Sequence, residues 1–538
     1  MSKPEDSRRD FLSSALVSLS GVGFASTVGA RWQKDIPTPT ESSAAPASFN
    51  VKAFGAAGDG AALDTNSVNK AIEAAASKGG TVYFPAGNYL CHSIHLKSNV
   101  ALYLDRGATI VAADSPAPGS RGPAYDAAES NPWDAFQDFG HSHWHNSLIW
   151  GEGLENVSIL GPGLIWGRGL SRGWGAGPKA ENPGVGNKSI SLKNCRNVTL
   201  RDFAILHGGH FGILATGVDN FTIDNLLIDT NRDGIDVDCC RNVRISNCSV
   251  NSPWDDAICP KSSFALGYAR ATENVTIANC YVTGDYQEGT LLDGTWKRFD
   301  PDAKVWRTGR IKFGTESNGG FKNITVSNCA FEACQGLALE TVDGALFEDV
   351  TITNITMREI TSAPIFLRLG RRMRGPTGVP VGKLRRVLIS NIVCSAAASR
   401  FGSIISGIPD HPIEDVKLSN IYIQHRGGGT KAEAAIVPPE REDAYPEPDM
   451  FGTIPAHGFY IRHAKGLEMS HIEIEALAPD ARPAFLLDDV HSADLLRMRA
   501  PQQSGVPTFA LKSVGDFHLY LSRPLPDTHL DRVEEKKF

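Results

Sequence analysis

Asn220-Phe221-Thr222-Ile223-Asp224-Asn225 and Asn242-Val243-Arg244-Ile245-Ser246-Asn247 share one pattern: an Asn, alternating apolar residues, then a second Asn. Alternation of this kind marks a strand with one buried face. The pattern begins again at Asn197, Asn274, Asn323, Asp349, Arg386 and Asp415, with a weaker copy at Gly466. The closest spacings fit one coil of a parallel solenoid in which each repeat rests on the previous one, and the longer spacings imply inserted loops. An antiparallel sandwich is the competing fold, but hairpin turns are scarce between the repeats and the spacing is too long for tight pairs. The expected fold class is therefore all-β, a parallel β-helix.

The residues between the strands sharpen this reading. Asn225, Asn247, Asn279, Asn328, Asn354, Asn391 and Asn420 recur just after each strand. Asn tolerates a left-handed backbone, and its amide can bond the same amide one coil away, so a ladder is expected. Cys248, Cys280 and Cys329 each follow the second Asn of a repeat. Although export would permit disulfides, this placement predicts a stacked row of buried thiols rather than bridges. Adjacent Cys239 and Cys240 would face opposite ways if they flank a strand. No paired C-x-x-C spacing occurs, and neither a metal nor a cofactor is expected. Upstream, Asp64 or Thr65 caps a helix whose apolar stripe includes Val68 and Ile72. Such a helix would cover the open end of the solenoid core.

A chain of 538 residues would ordinarily divide into several domains, a limit that stacked coils escape. The net charge of -7, with Arg368, Arg371, Arg372 and Arg374 as the one basic cluster, argues against nucleic acid as partner. Ser7-Arg8-Arg9-Asp10-Phe11-Leu12 opens a weakly apolar stretch to Val28, the appearance of a twin-arginine export signal. The expected organisation is a signal over 1–30, a linker over 31–47 and a β-helix catalytic domain over 48–538. The mature protein is expected in the periplasm or outside the cell, without a membrane span and as a monomer.

The offset between Asn220 and Asn242 equals that between Asp233 and Asp255, which places Asp233 beside the Asp255-Asp256 pair on the next coil. Adjacent strand residues point to opposite faces, so both members of the pair line a groove only if the chain bends, as Pro253 favours. Three carboxylates this close cannot all ionise at their usual pKa; one holds a proton as general acid and the others orient and deprotonate water. Solvated turn aspartates or a calcium site are the alternative readings.

The Asn231-Arg232-Asp233-Gly234-Ile235-Asp236 segment, the Asp255-Asp256 pair, the Asn-rich strands and Phe54-Gly55-Ala56-Ala57-Gly58-Asp59-Gly60 together resemble glycoside hydrolase family 28, the polygalacturonase and rhamnogalacturonan hydrolase family. The resemblance covers about residues 48–480. It implies a right-handed parallel β-helix and inverting hydrolysis of a pectic or other acidic polysaccharide or oligosaccharide. It further implies Asp255 as general acid, with Asp233 and Asp256 as the pair that activates water. The sequence departs from the family where Asn-Thr-Asp becomes Asn231-Arg232-Asp233. No Gly-His-Gly follows on the next coil, where Thr308-Gly309-Arg310 stands. Arg310-Ile311-Lys312 matches the family's Arg-Ile-Lys but comes one strand early, and Ala338-Leu339-Glu340 occupies that motif's place. On this reading Arg310 replaces a histidine and Glu340 a lysine.

Further substrate-binding candidates come from the residues themselves. Arg310 and Lys312 share a strand face and could hold an anionic sugar. Glu316 and Glu340 could bind hydroxyls or supply an acid. His210 could reach the groove, and Trp254 could stack on a sugar. Asn231 and Arg232 flank Asp233. The insertion between the Asn274 and Asn323 strands, including Trp296, is expected to wall the cleft. Two competing functions use the same fold: a polysaccharide lyase relying on Arg310 and Lys312, and a non-catalytic glycan-binding solenoid.

Overall fold

The computed structural model describes residues 48–538 apart from 118–121, 139 and 174–180; the expected export signal and linker lie outside the described residues. Parallel strands wind as three ribbons. The first runs through Glu155–Leu160, Arg196–Arg201, Asp219–Asp224, Arg241–Ser246 and Thr272–Ala278. The second runs through Leu164–Trp166, Ala204–Leu206, Leu227–Asp229, Ser249–Asn251 and Tyr281–Thr283. The third runs through Lys188–Lys193, Phe211–Thr216, Asp233–Asp238 and Ile258–Lys261. From Phe321–Glu332 onward the first two ribbons fuse into long strands such as Lys383–Ala397 and Ile413–Gly427. This is the parallel β-helix expected from the repeats.

Register follows the sequence pattern. Val198 pairs with Phe221, Phe221 with Val243, Val243 with Val275 and Val275 with Ile324. These alternating residues point inward and build one continuous core. Burying each such side chain contributes about 1.5–3 kcal/mol. The helix Thr65–Ala76 buries Val68, Ala71, Ile72 and Ala75 at the start of the stack. Asp64 stands at its N-cap without a side-chain capping bond; its carboxylate accepts from the Ala57 and Gly58 amides instead.

Two asparagine ladders run along the coils, one more than expected. The anticipated one passes from Asn279 to Asn247, Asn328 to Asn279, Asn354 to Asn328, Asn391 to Asn354 and Asn420 to Asn391 at 3.0–3.3 Å. The second uses the Asn that opens each repeat, from Asn197 through Asn220, Asn242 and Asn274 to Asn323. Both sets sit at positive φ between 52° and 58°. Cys248, Cys280 and Cys329 are buried and free, as are the other seven cysteines. Among the described residues no helix is long and apolar enough to cross a membrane.

Candidate active site

The turn entering the Ile258–Lys261 strand decides the site. Asp229 pairs with Asn251, but Ile235 pairs with Ile258, so this coil carries one residue more than the coil before it. Asp233 is therefore level with Asp256, not with Asp255 as the repeat offset suggests: the Gly234 amide donates to the Asp256 carbonyl at 3.0 Å. The extra residue is taken up in the Ser252–Asp255 turn, where Ser252 Oγ donates to the carbonyls of Arg232 and Asp255. A one-residue irregularity of this kind re-aims side chains. Asp255 swings outward to 25% exposure while Asp256 stays buried, and both reach the same place.

Carboxylate oxygens of Asp233, Asp255 and Asp256 lie within 4.8 Å of one another. Their surroundings separate their charges. Burial opposes ionisation of Asp256, but Lys312, Arg310 and Lys261 outweigh it and hold this carboxyl at about 2. Arg310 Nε lies 2.9 Å from one Asp256 oxygen and Lys312 Nζ 3.3 Å from the other. Asp233 has no such pair of cations; burial, then Asp236 and Asp255, push its carboxyl well above the usual range. Asp255 is engaged by Arg232 at 2.8 Å. The two buried carboxyls are thus driven apart, Asp233 toward its neutral form and Asp256 toward its charged one.

Behind these three lies a buried row that sequence reasoning missed. Asp236, one coil level with Cys259, is 3.3 Å from His141 Nε2 and 3.8 Å from Lys261 Nζ. Burial and Lys261 disfavour the charged imidazole, but Glu316 and Asp236 prevail and raise the His141 pKa. His141 arrives from a long loop, and only the His-rich run His141-Ser142-His143-Trp144-His145 hinted at it. His141, Asp233 and Asp236 are spaced as metal ligands could be, as are the three aspartates. The ammonium of Lys261 and the Arg310–Lys312 pair already supply opposite charge to both groups.

The remaining candidates divide. Asn231 and His210 are buried; His210 stacks on Phe211 at 4.3 Å and its pKa is depressed chiefly by burial, so it lies under the His141 loop rather than in the cleft. Glu316 is also buried, fixed by Lys261 at 3.4 Å and Arg374 at 2.5 Å, and cannot receive sugar hydroxyls. Glu340 is buried beside Gly314, and burial drives its pKa to about 8, leaving it largely neutral. Glu340 stands level with Gly314 rather than with Lys312, which instead pairs with Ala338. Of the arginine cluster, Arg368, Arg372 and Arg374 are bound inward, to the Gly407 and Glu440 carbonyls, to Asp343 and to Glu316 respectively.

An open cleft of about 500 Å³ is lined by Asp255 and Asp256 together with Arg232, Trp254, Trp306, Lys312, Tyr445, Glu447 and Asp449. Trp254 and Trp306 meet edge to face with centroids 6.0 Å apart. Trp306 is 59% exposed and comes from the insertion expected to wall the cleft. In the other arm of that insertion, Trp296 packs against Tyr281 and Tyr286. Tyr445 and Glu447 lie far along the chain in a stretch without repeat pattern, and no sequence signal marked them.

Residues 48–122 match the family described as rhamnogalacturonase A/epimerase, pectate lyase-like, and residues 188–373 match a right-handed β-helix region. A probable polygalacturonase of Vitis vinifera is 25% identical over 405 residues, covering 69% of this chain and 73% of that protein. These matches agree with the resemblance to polygalacturonases read from the motifs. The chain is also 25% identical over 272 residues to an exo-poly-alpha-D-galacturonosidase of Dickeya chrysanthemi, covering 42% of the chain and 43% of that protein. In structure it is similar to a family 28 exopolygalacturonase of Yersinia enterocolitica (TM-score 0.59, 17% identity, 84% of this chain and 78% of that one). It is likewise similar to an exopolygalacturonase of Thermotoga maritima (TM-score 0.56, 20% identity, 70% and 87%). At these identities the structural likeness bears on the fold.

Proposed function

We propose that the chain is a glycosidase that hydrolyses glycosidic bonds of a pectic polysaccharide or oligosaccharide. The observation that carries this is a cluster of three carboxylates in which Asp255 and Asp256 line an open, aromatic-edged cleft and Asp233 is buried against them. The polygalacturonase relatives support the reaction class. Asp255, the most exposed of the three, is the general acid that donates a proton to the leaving oxygen. Asp256, held ionised by Arg310 and Lys312, takes a proton from the attacking water. Inverting enzymes usually space acid and base roughly 6.5–9.5 Å apart across the sugar. The carboxylates here are closer than that, so in this reading Asp233 and Asp256 clamp one water between them. Export through a twin-arginine signal is part of the same proposal and brings the protein to extracellular glycan.

The test is incubation with a panel of pectic fragments, followed by product mass and NMR of the first-formed anomer. Saturated products of inverted configuration are expected, and Asp255→Asn should lower turnover by about 10²–10⁴-fold, the usual contribution of a positioned acid, with an unchanged circular dichroism spectrum. Unsaturated, ultraviolet-absorbing products would instead indicate a lyase, and full activity in Asp255→Asn would remove the assignment.

A further inference from the structure

Arg310 and Lys312 share one strand face, and two cations so placed suit the carboxylate of an acidic sugar. The structure gives them other partners. Glu447 Oε1 accepts from Arg310 Nη2 and lies 3.3 Å from Lys312 Nζ. The opposite side of each cation faces Asp256. Tyr445 closes the third side, its ring centroid 5.4 Å from Lys312 Nζ. A carboxylate of the chain therefore already stands where a uronic carboxylate would bind.

Glu447 is not a chance visitor from a loose loop. It belongs to the segment between the Ile413–Gly427 and Phe459–Ala478 strands, which is tied down at several points. Buried Arg368 donates to the Glu440 and Arg441 carbonyls at 3.0 and 3.2 Å. The Arg371 amide donates to the Glu442 carbonyl at 2.7 Å. On the other side of Glu447, Phe451 and Ile454 pack into a small core with Phe366, Phe401 and Tyr460. The Glu447 side chain is 28% exposed, so it presents its charge to the cleft as well as to the cations. The cleft wall carries Arg232 and Lys312 against Asp255, Asp256, Glu447 and Asp449, a lining whose acidic groups outnumber its basic ones. A second carboxylate brought to the Arg310–Lys312 face would have to displace Glu447 or lie against it, and like charges at that distance repel.

We infer that Glu447 is a specificity-determining residue: a built-in carboxylate that fills the anion position beside Arg310 and Lys312, so that the sugar bound there is neutral and meets Glu447 through its hydroxyls. The inference rests on the glycosidase reading and names the class of sugar at one subsite. It turns the expectation of an acidic sugar around at that position while leaving the rest of the glycan open to charge.

The test reads binding rather than turnover, so its failure is separate from a failure of the hydrolase assignment. D-galactose and D-galacturonate differ at C6 alone and serve as the probe pair. Each is titrated against the full chain at neutral pH by ligand-observed NMR, for the unaltered protein and for Glu447→Ala and Glu447→Gln. The Gln variant keeps the volume and the acceptor oxygen should the Ala variant fail to fold. The unaltered protein should bind galactose more tightly than galacturonate. Either substitution should strengthen galacturonate binding by about tenfold or more, the effect of freeing two cations for one carboxylate, with a much smaller change for galactose. Tighter binding of galacturonate by the unaltered protein, or no gain for galacturonate in either variant, would overturn the inference.

Discussion

Replacing Lys312 with Met tests how the charge is divided at the site. Lys312 Nζ lies 3.3 Å from Asp256. With an effective dielectric near 20, Coulomb attraction at that distance is about 5 kcal/mol. At about 1.4 kcal/mol per pKa unit this is nearly four units. Arg310 and Lys261 remain, and a Met side chain admits some water, so about half of that should be realised. Asp256, at about 2 in the intact site, should rise to about 4. Its folded pKa is depressed below that of an unfolded aspartate. The carboxylate therefore stabilises the fold above the ordinary aspartate pKa and loses that contribution as pH falls toward its folded value, near which its catalytic charge is lost as well. The assay is kcat/KM from roughly pH 1.5 to pH 7 on an oligosaccharide that the intact protein cleaves, with circular dichroism at each pH. The acid limb should move upward by about two units while the ellipticity is retained. An unmoved limb would refute the view that Lys312 keeps Asp256 charged.

Three further outcomes are expected. Asp233→Asn should raise the thermal midpoint at neutral pH while lowering activity: the Asp233 pKa is raised, so its carboxyl favours the folded state below the ordinary aspartate pKa and loses that contribution as pH rises. A lower midpoint at pH 7 would contradict this. Asn279→Ala should cost about 2–3 kcal/mol in denaturant unfolding, from two ladder hydrogen bonds and a left-handed backbone that Ala tolerates poorly, and Asn279→Gly should cost less because glycine accepts that backbone. Equal losses would point away from the backbone term. Trp306→Ala should weaken oligosaccharide binding without shifting the pH profile, measurable as a rise in KM at constant kcat.

The ribbons were legible because each inward residue is constrained by a neighbour one coil away, which imposes period two and a recurrent Asn where the backbone turns left-handed. The same regularity misled at the site. Extending the Asn220-to-Asn242 offset put Asp255 beside Asp233, whereas the residue added before Ile258 sets Asp256 there and turns Asp255 toward the cleft. A bulge leaves no repeat to count. Glu316 and Glu340 carried the right chemistry but not the right depth: burial depends on which loops cross the strand, and the His141 loop and the Tyr445–Glu447 segment are not written in the strand pattern. Glu447 reaches Lys312 from more than a hundred residues away, a contact that tertiary folding alone creates.

Among the described residues the strand Thr528–Lys537 runs against the direction of the other paired strands and covers the edge of Phe509–Tyr520. Six of its ten side chains are charged, Asp531, Arg532, Glu534, Glu535, Lys536 and Lys537. A bare coil edge would be a template on which a second molecule could extend the stack into a filament. This reversed strand, whose three acidic and three basic side chains hold solvent, offers a newcomer mismatched polarity and ionic side chains to desolvate instead.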